Sequence, residues 1–292
     1  MKKNKPQIPS SNKRSVTRKK IAKKNNFTLA KSIGYALFFC AIIIVSLGIY
    51  QFKDGVLYYL GFKTNSLDGL TKEERAIADI RIYEVLSEHK DFIFGMDVSE
   101  YQGNIDWEKA QKIEDTFSLS FAFIRATAGK DKVDSKFAYN WKEAKKNNFV
   151  RGAYHYYRPN ENSILQATNF IQTVQLTSGD FPPVLDIEKL PKTQSLDSLK
   201  LGLKRWLTKV EAHYKMKPII YSGESYYNDF LKKEFSDYPF WIANYNIWKK
   251  KPEKEWLIWQ FTEKAKVEGI KGMIDLNVFN GDFIKFIEST KP

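Results

Sequence analysis

Residues 183–188 read Pro-Val-Leu-Asp-Ile-Glu, a short apolar run that closes on two carboxylates. Side chains alternate across a strand, so Val184, Asp186 and Glu188 share one face while Leu185 and Ile187 share the other. That division suits the wall of a parallel barrel, with helices packed outside and acids facing the open end. Similar runs, rich in β-branched and aromatic residues, precede it at 92–98, 119–127 and 152–157. Others follow at 218–221, 240–245, 256–261 and 274–279. Helical periodicity fills the first five gaps, around residues 106–113, 137–147, 164–177, 196–213 and 224–235. The last two gaps, 246–255 and 262–273, are short, rich in Lys and Glu, and lack an apolar face. Five βα units followed by three strands predict an α/β fold, a TIM-like (β/α)5β3 barrel spanning residues 92–292.

Catalytic groups in such a barrel come from the strand ends at its mouth. The first run carries Asp97, the fourth Asp186 and Glu188, and the eighth Asp275. Charge inside an apolar run is costly unless it is paired, hydrogen-bonded or solvated in a cleft. Any one of these acids reads equally well as a capping or turn residue; four at strand ends do not. Crowding two acids on one face raises the pKa of at least one, which supplies the protonated carboxyl that general acid catalysis needs. Aromatic residues fall at the same ends: Tyr154, Tyr156, Tyr157, Tyr221, Trp241, Tyr245 and Trp259. Sugars present apolar faces edged with hydroxyls, so these rings, with the amides of Gln260 and Asn277, are expected to line a saccharide cleft. Only three histidines occur. A multi-histidine metal site or a Ser-His-Asp triad is correspondingly hard to build, and no metal or other cofactor is expected.

The net charge of +13 is concentrated at the start of the chain. Of 47 Lys and Arg, eleven lie in residues 1–31 with no acid among them, leaving 36 against 34 acids for the remainder. A nucleic-acid partner is thus not implied. Ile33 to Tyr50 follows as eighteen residues without a charge. As a helix it would span roughly 27 Å, close to the hydrocarbon thickness of a bilayer. A cationic flank on one side predicts a cytoplasmic N-terminus and an exported remainder. The long basic region and the lack of a small-x-small cleavage site favour a signal anchor over a cleaved signal peptide. The expected organisation is a basic cytoplasmic tail (1–31), a single-pass anchor in the cytoplasmic membrane (32–50), a stem with a helix (51–91) and the exported barrel. Thr71-Lys-Glu-Glu74 has capping-box spacing, and the helix it opens is free to lift the barrel off the membrane or to pack against it. The single cysteine, Cys40, lies in the apolar run, so no disulfide framework is available to the barrel.

These segments resemble glycoside hydrolase family 25, the lysozymes (N-acetylmuramidases) that cut bacterial peptidoglycan. FGMDVSEYQGNIDW (94–107), GAYHYYRP (152–159), PPVLDIE (182–188), IIYSG (219–223), FWIANY (240–245), WQF (259–261) and IDLNVFNGD (274–282) follow in family order. The resemblance implies a (β/α)5β3 barrel and a catalytic set of Asp97, Asp186, Glu188 and Asp275. It implies Glu188 as proton donor and Asp186 as the group orienting the 2-acetamido substituent, within a substrate-assisted, retaining hydrolysis of the muramyl bond. Asp97 and Asp275 then tune or hydrogen-bond that pair, with Asp275 an alternative stabilising partner. Many relatives read K/R-A-T-E-G after the second strand, whereas Arg125-Ala-Thr-Ala128-Gly129 lacks the glutamate. Arg125 then either contacts an anionic part of the substrate or forms a structural ion pair. A peptidoglycan-binding scaffold without turnover is the alternative function, and the retained carboxylates weigh against it.

Overall fold

The computed structural model describes residues 70–291, together with 35, 37–43 and 46. The basic tail and much of the 33–50 run lie outside the described residues. Among the described residues no helix is long and apolar enough to cross a membrane. The barrel belongs to the unit Gly61–Pro292.

All eight expected strands form: β1 (Ile93–Val98), β3 (Phe117–Ala128), β5 (Val150–Tyr156), β6 (Val184–Asp186), β7 (Ile219–Gly223), β8 (Phe240–Ala243), β9 (Trp256–Ala265) and β10 (Ile274–Phe279). Two short strands, β2 (Lys112–Ile113) and β4 (Lys132–Val133), hang on β3 as antiparallel additions. Neighbouring strands from β1 through β9 run parallel around the ring. β10 closes it, antiparallel to both β9 and β1. Closure leaves the eight-membered ring without an edge.

The barrel has two cores. Inside, Phe121, Phe123, Phe181, Val184, Ile219, Trp241, Ile258 and Phe279 fill the lower part. Phe123 stacks on Trp241 with ring centroids 4.5 Å apart. Room for the β3 rings depends on two glycines: a Cβ on Gly95 would lie 2.3 Å from the Phe121 ring, and one on Gly152 2.1 Å from Phe123. Outside, Leu185 and Ile187 join the larger core beneath helices α2 (Phe137–Lys146), α3 (Ser163–Thr173) and α4 (Leu196–Tyr214). The alternation read from 183–188 is thus realised through Ile187.

Two local expectations change. Residues 106–113 form turns and then β2 instead of a helix, because Leu119 N donates to Gln111 O and the hairpin claims the chain. Residues 224–235 give only a short α5 (Glu224–Tyr226) and a π-helical turn, Tyr227–Leu231. The helix begun at Thr71, α1 (Lys72–Glu88), packs on the barrel. Its Ile82, Val85 and Leu86 are buried, and Arg81 donates to the carbonyls of Ile247 (2.9 Å) and Lys249 (3.0 Å). It covers β9, where the last connections supply no helix. The final helix, α6 (Phe283–Glu288), sends Phe286 against Phe121, Phe181 and Phe279 and plugs the lower end.

Between barrel and helices, His155 is fully buried. Its Nδ1 is 2.7 Å from Thr127 Oγ1, its Nε2 is 3.1 Å from Gln166 Oε1, and its ring stacks on Trp206. Burial pushes the imidazole down to about 4. The unfolded chain takes up that proton near 6.5, so stability should fall as pH drops from about 6.5 to about 4, by at most ~3 kcal/mol from this group. Urea unfolding at pH 7 and pH 4.5 measures it: a His155→Gln variant should lose clearly less stability over that interval than wild type. Equal losses would refute the assignment.

Candidate active site

The carboxylates meet at the end where the parallel strands finish. Asp97 is the penultimate residue of β1, and Asp186 ends β6. Asp275 lies at the start of β10, but β10 runs antiparallel, so its start is at the same end. Asp97 and Asp275 are direct cross-strand partners, a relation that brings Cβ atoms to about 5 Å. Asp186 is level with Tyr156 on one side and Tyr221 on the other.

Tyr154 reports the convergence. Burial raises its phenol well above the ordinary value; Arg125 pulls the other way, while Asp97, Asp186 and Asp275 all push it further up. Acids from the first, fourth and eighth strands of the ring thus act on one hydroxyl. Glu188 follows two residues after the end of β6, half-buried at the rim. Among the described residues its carboxylate has no hydrogen-bond or ion-pair partner.

A hydrogen-bonded frame holds Asp97. Its Oδ2 accepts from Gln260 Nε2 at 2.7 Å and from Asn277 Nδ2 at 2.9 Å. Trp241 Nε1 donates to Asn277 Oδ1 at 2.7 Å. Gln260 Oε1 accepts from the hydroxyls of Tyr221, at 2.8 Å, and Tyr245. Trp241, Gln260, Asn277 and Tyr221 are buried, whereas Tyr154, Tyr156 and Tyr245 are half-buried. The exposed ring area therefore comes from these three tyrosines, and the amides of Gln260 and Asn277 are turned to Asp97. Tyr157 and Trp259, expected beside them, sit in the outer core because each is one residue out of phase with the inward positions.

Arg125 takes the structural alternative. Its Nε lies 2.8 Å from Asp134 Oδ2 and its Nη2 2.9 Å from Glu100 Oε1, under the exposed ring of Tyr101. Burial works against its charge, yet Tyr154 and Asp134 more than offset that and raise its pKa. Lys132 pairs with the same Glu100, and this hydrogen bond pulls the Glu100 carboxyl down to about 2 against the opposing effect of desolvation. The cluster is the main feature that sequence reading missed, since Glu100, in the turn after β1, is more than thirty residues from Lys132 and Asp134 at the β4 hairpin. One signal was present: Ser99 and Gln102 have capping-box spacing and form that box around the turn bearing Glu100. Among the described residues no group of His, Cys, Asp or Glu is arranged to hold a metal ion.

Acids, amides and half-buried rings gathered at the mouth of a closed barrel define a glycoside hydrolase by class. The chain belongs to glycosyl hydrolases family 25, whose sequence model matches residues 96–270. It is 42% identical over 193 residues to the uncharacterized protein YegX of Escherichia coli K12, covering 65% of this chain and 70% of that protein. Identity to Lysozyme M1 of Streptomyces globisporus is 31% over 208 residues, covering 66% and 69%. A bacterial lysozyme from Streptomyces coelicolor superposes with a TM-score of 0.61 at 27% identity, over 68% of this chain and 97% of that one. A family 25 glycosyl hydrolase from Bacillus anthracis gives 0.61 at 30%, over 69% and 95%.

Proposed function

We propose that this chain is a muramidase that hydrolyses the β-1,4 bond between N-acetylmuramic acid and N-acetylglucosamine in peptidoglycan, by substrate-assisted catalysis with net retention. The observation that carries the proposal is the gathering of Asp97, Asp186 and Asp275 around Tyr154, with Glu188 at the adjacent rim. Glu188 donates its proton to the glycosidic oxygen as the C1–O bond breaks. The 2-acetamido oxygen of the muramyl residue bonds to C1 from the opposite face, and Asp186 holds that acetamido group and the positive charge it acquires. Water, giving its proton to the Glu188 carboxylate, then adds to C1 and expels the acetamido oxygen. Two inversions leave the configuration unchanged. Asp97, framed by Gln260 and Asn277, and Asp275 supply the negative potential in which this charge develops.

The run at 33–50 and its cationic flank support a further part of the reading: the chain is anchored in the cytoplasmic membrane with its barrel exported, acting on wall close to the bilayer. Digestion of purified peptidoglycan tests the chemistry. Borohydride labelling followed by mass spectrometry should place every new reducing end on N-acetylmuramic acid, and glycan lacking the muramyl N-acetyl group should resist cleavage. New ends on N-acetylglucosamine would overturn the bond assignment, and equal cleavage of de-N-acetylated glycan would overturn the acetamido nucleophile.

A further inference from the structure

We propose that the outer face of α1 and the turn beside it form a membrane-contact surface that lays the side of the barrel on the phospholipid headgroups. The proposal rests on the anchored reading and specifies how the exported unit is held. On α1, Arg81, Ile82, Val85 and Leu86 face the barrel, while Ile77, Ile80 and Tyr83 on the opposite side are 58%, 60% and 59% exposed. Water is a poor solvent for three such side chains on one short helix, and a membrane interface is a good one. The stripe continues beyond the helix. Arg81, one turn from Ile77, binds the carbonyls of Ile247 and Lys249, and the side chains of Ile247 and Trp248 are 49% and 70% exposed. Glu84, one turn from Ile80, is paired with Lys250 at 2.8 Å. One of the acids beside the stripe thereby carries its own counter-charge.

Chain length makes a lipid surface the natural occupant. Nineteen residues separate the end of the apolar run at Tyr50 from residue 70, where the described unit begins. Fully extended, they reach roughly 65 Å. The barrel is thus confined near the bilayer, and a weak apolar contact suffices because the tether has already removed most of the cost of association. Trp248 and Tyr83 are the ring types that favour the boundary between headgroup and acyl chain. The start of α1 lies at the mouth end of the barrel, where Arg75 Nη1 donates to Lys264 O at 2.8 Å beyond the site residue Gln260 on β9. With α1 against lipid, the mouth opens along the membrane surface, toward the innermost glycan.

The full chain, reconstituted into phosphatidylethanolamine–phosphatidylglycerol vesicles with acyl chains brominated near the headgroup, tests the contact. Brominated lipid should lower the tryptophan emission of wild type, and Trp248→Phe should abolish that decrease. Ile80→Glu, at an exposed position, should reduce the quenching several-fold without changing co-sedimentation with vesicles. Co-sedimentation with no quenching of Trp248 would overturn the contact and leave the anchor standing. Unquenched emission in a dimer that Ile80→Glu dissociates would assign the face to a second copy of the chain and equally overturn it. Failure to co-sediment would remove the anchor and the contact together.

Discussion

Replacing Glu188 with Gln is expected to lower the rate of peptidoglycan cleavage on the order of 10^3-fold while leaving the fold intact. Glutamine keeps the size and hydrogen-bonding capacity of the side chain but has no proton to give. General acid catalysis is typically worth about 10^2 to 10^4 in rate. Glu188 is half-buried, and among the described residues it holds no other group in place, so its loss should cost chemistry and not stability. Circular dichroism and the thermal midpoint should match wild type. A second substrate makes the assignment specific. An aryl glycoside whose leaving group departs without protonation should lose far less activity in the variant than the natural glycan does. Equal losses on both substrates would point to a role in binding or geometry, and full lytic activity would remove Glu188 from the mechanism.

The second large effect is expected far from the mouth. Arg151 Nε and Nη2 lie 2.8 Å and 2.7 Å from the two carboxylate oxygens of Asp180, and both side chains are buried. Arg151 Nη1 donates to Trp141 O at 2.7 Å, and its guanidinium stacks 3.8 Å from the Trp141 ring centroid. Thr177 N donates to the same Asp180 carboxylate. This pair ties β5 and α2 to the segment that enters β6. Asp180→Ala leaves a buried guanidinium without its counter-charge, which should destabilise the unit by about 3–5 kcal/mol. Urea unfolding at neutral pH measures it. Changing both partners together, Arg151→Met with Asp180→Leu, should recover most of the loss, because the cost lies in the orphaned charge and not in a missing attraction. The folded fraction of Asp180→Ala should retain its turnover rate, since the pair lies at the closed end. A loss below about 1 kcal/mol would show that water reaches Arg151 and that the pair is not structurally demanding.

The contrast between the two substitutions mirrors what was legible at each level. Periodicity and composition located all eight strands of the ring, because a residue's preference for one face of a strand is a local property of hydrophobic burial. They also singled out Asp97, Asp186, Glu188 and Asp275, because charges inside apolar runs are conspicuous wherever the chain goes. Residues 106–113 escaped the same reasoning. Their buried Trp107, Ala110 and Ile113 imitate helical spacing, yet the competing hairpin with β3 decides the backbone.

Local pattern and motif were enough to specify an α/β barrel, its four prominent acids and its kinship with lysozyme-like glycosidases. Long-range packing set β10 antiparallel and so delivered Asp275 to the side of Asp97. It also turned Gln260 and Asn277 toward Asp97, bound Arg125 to Glu100 and Asp134, and laid α1 along β9. Each of these depends on residues distant in the chain meeting across a closed sheet, where burial makes an unpaired polar group costly. Local preference carries no record of which partner that will be.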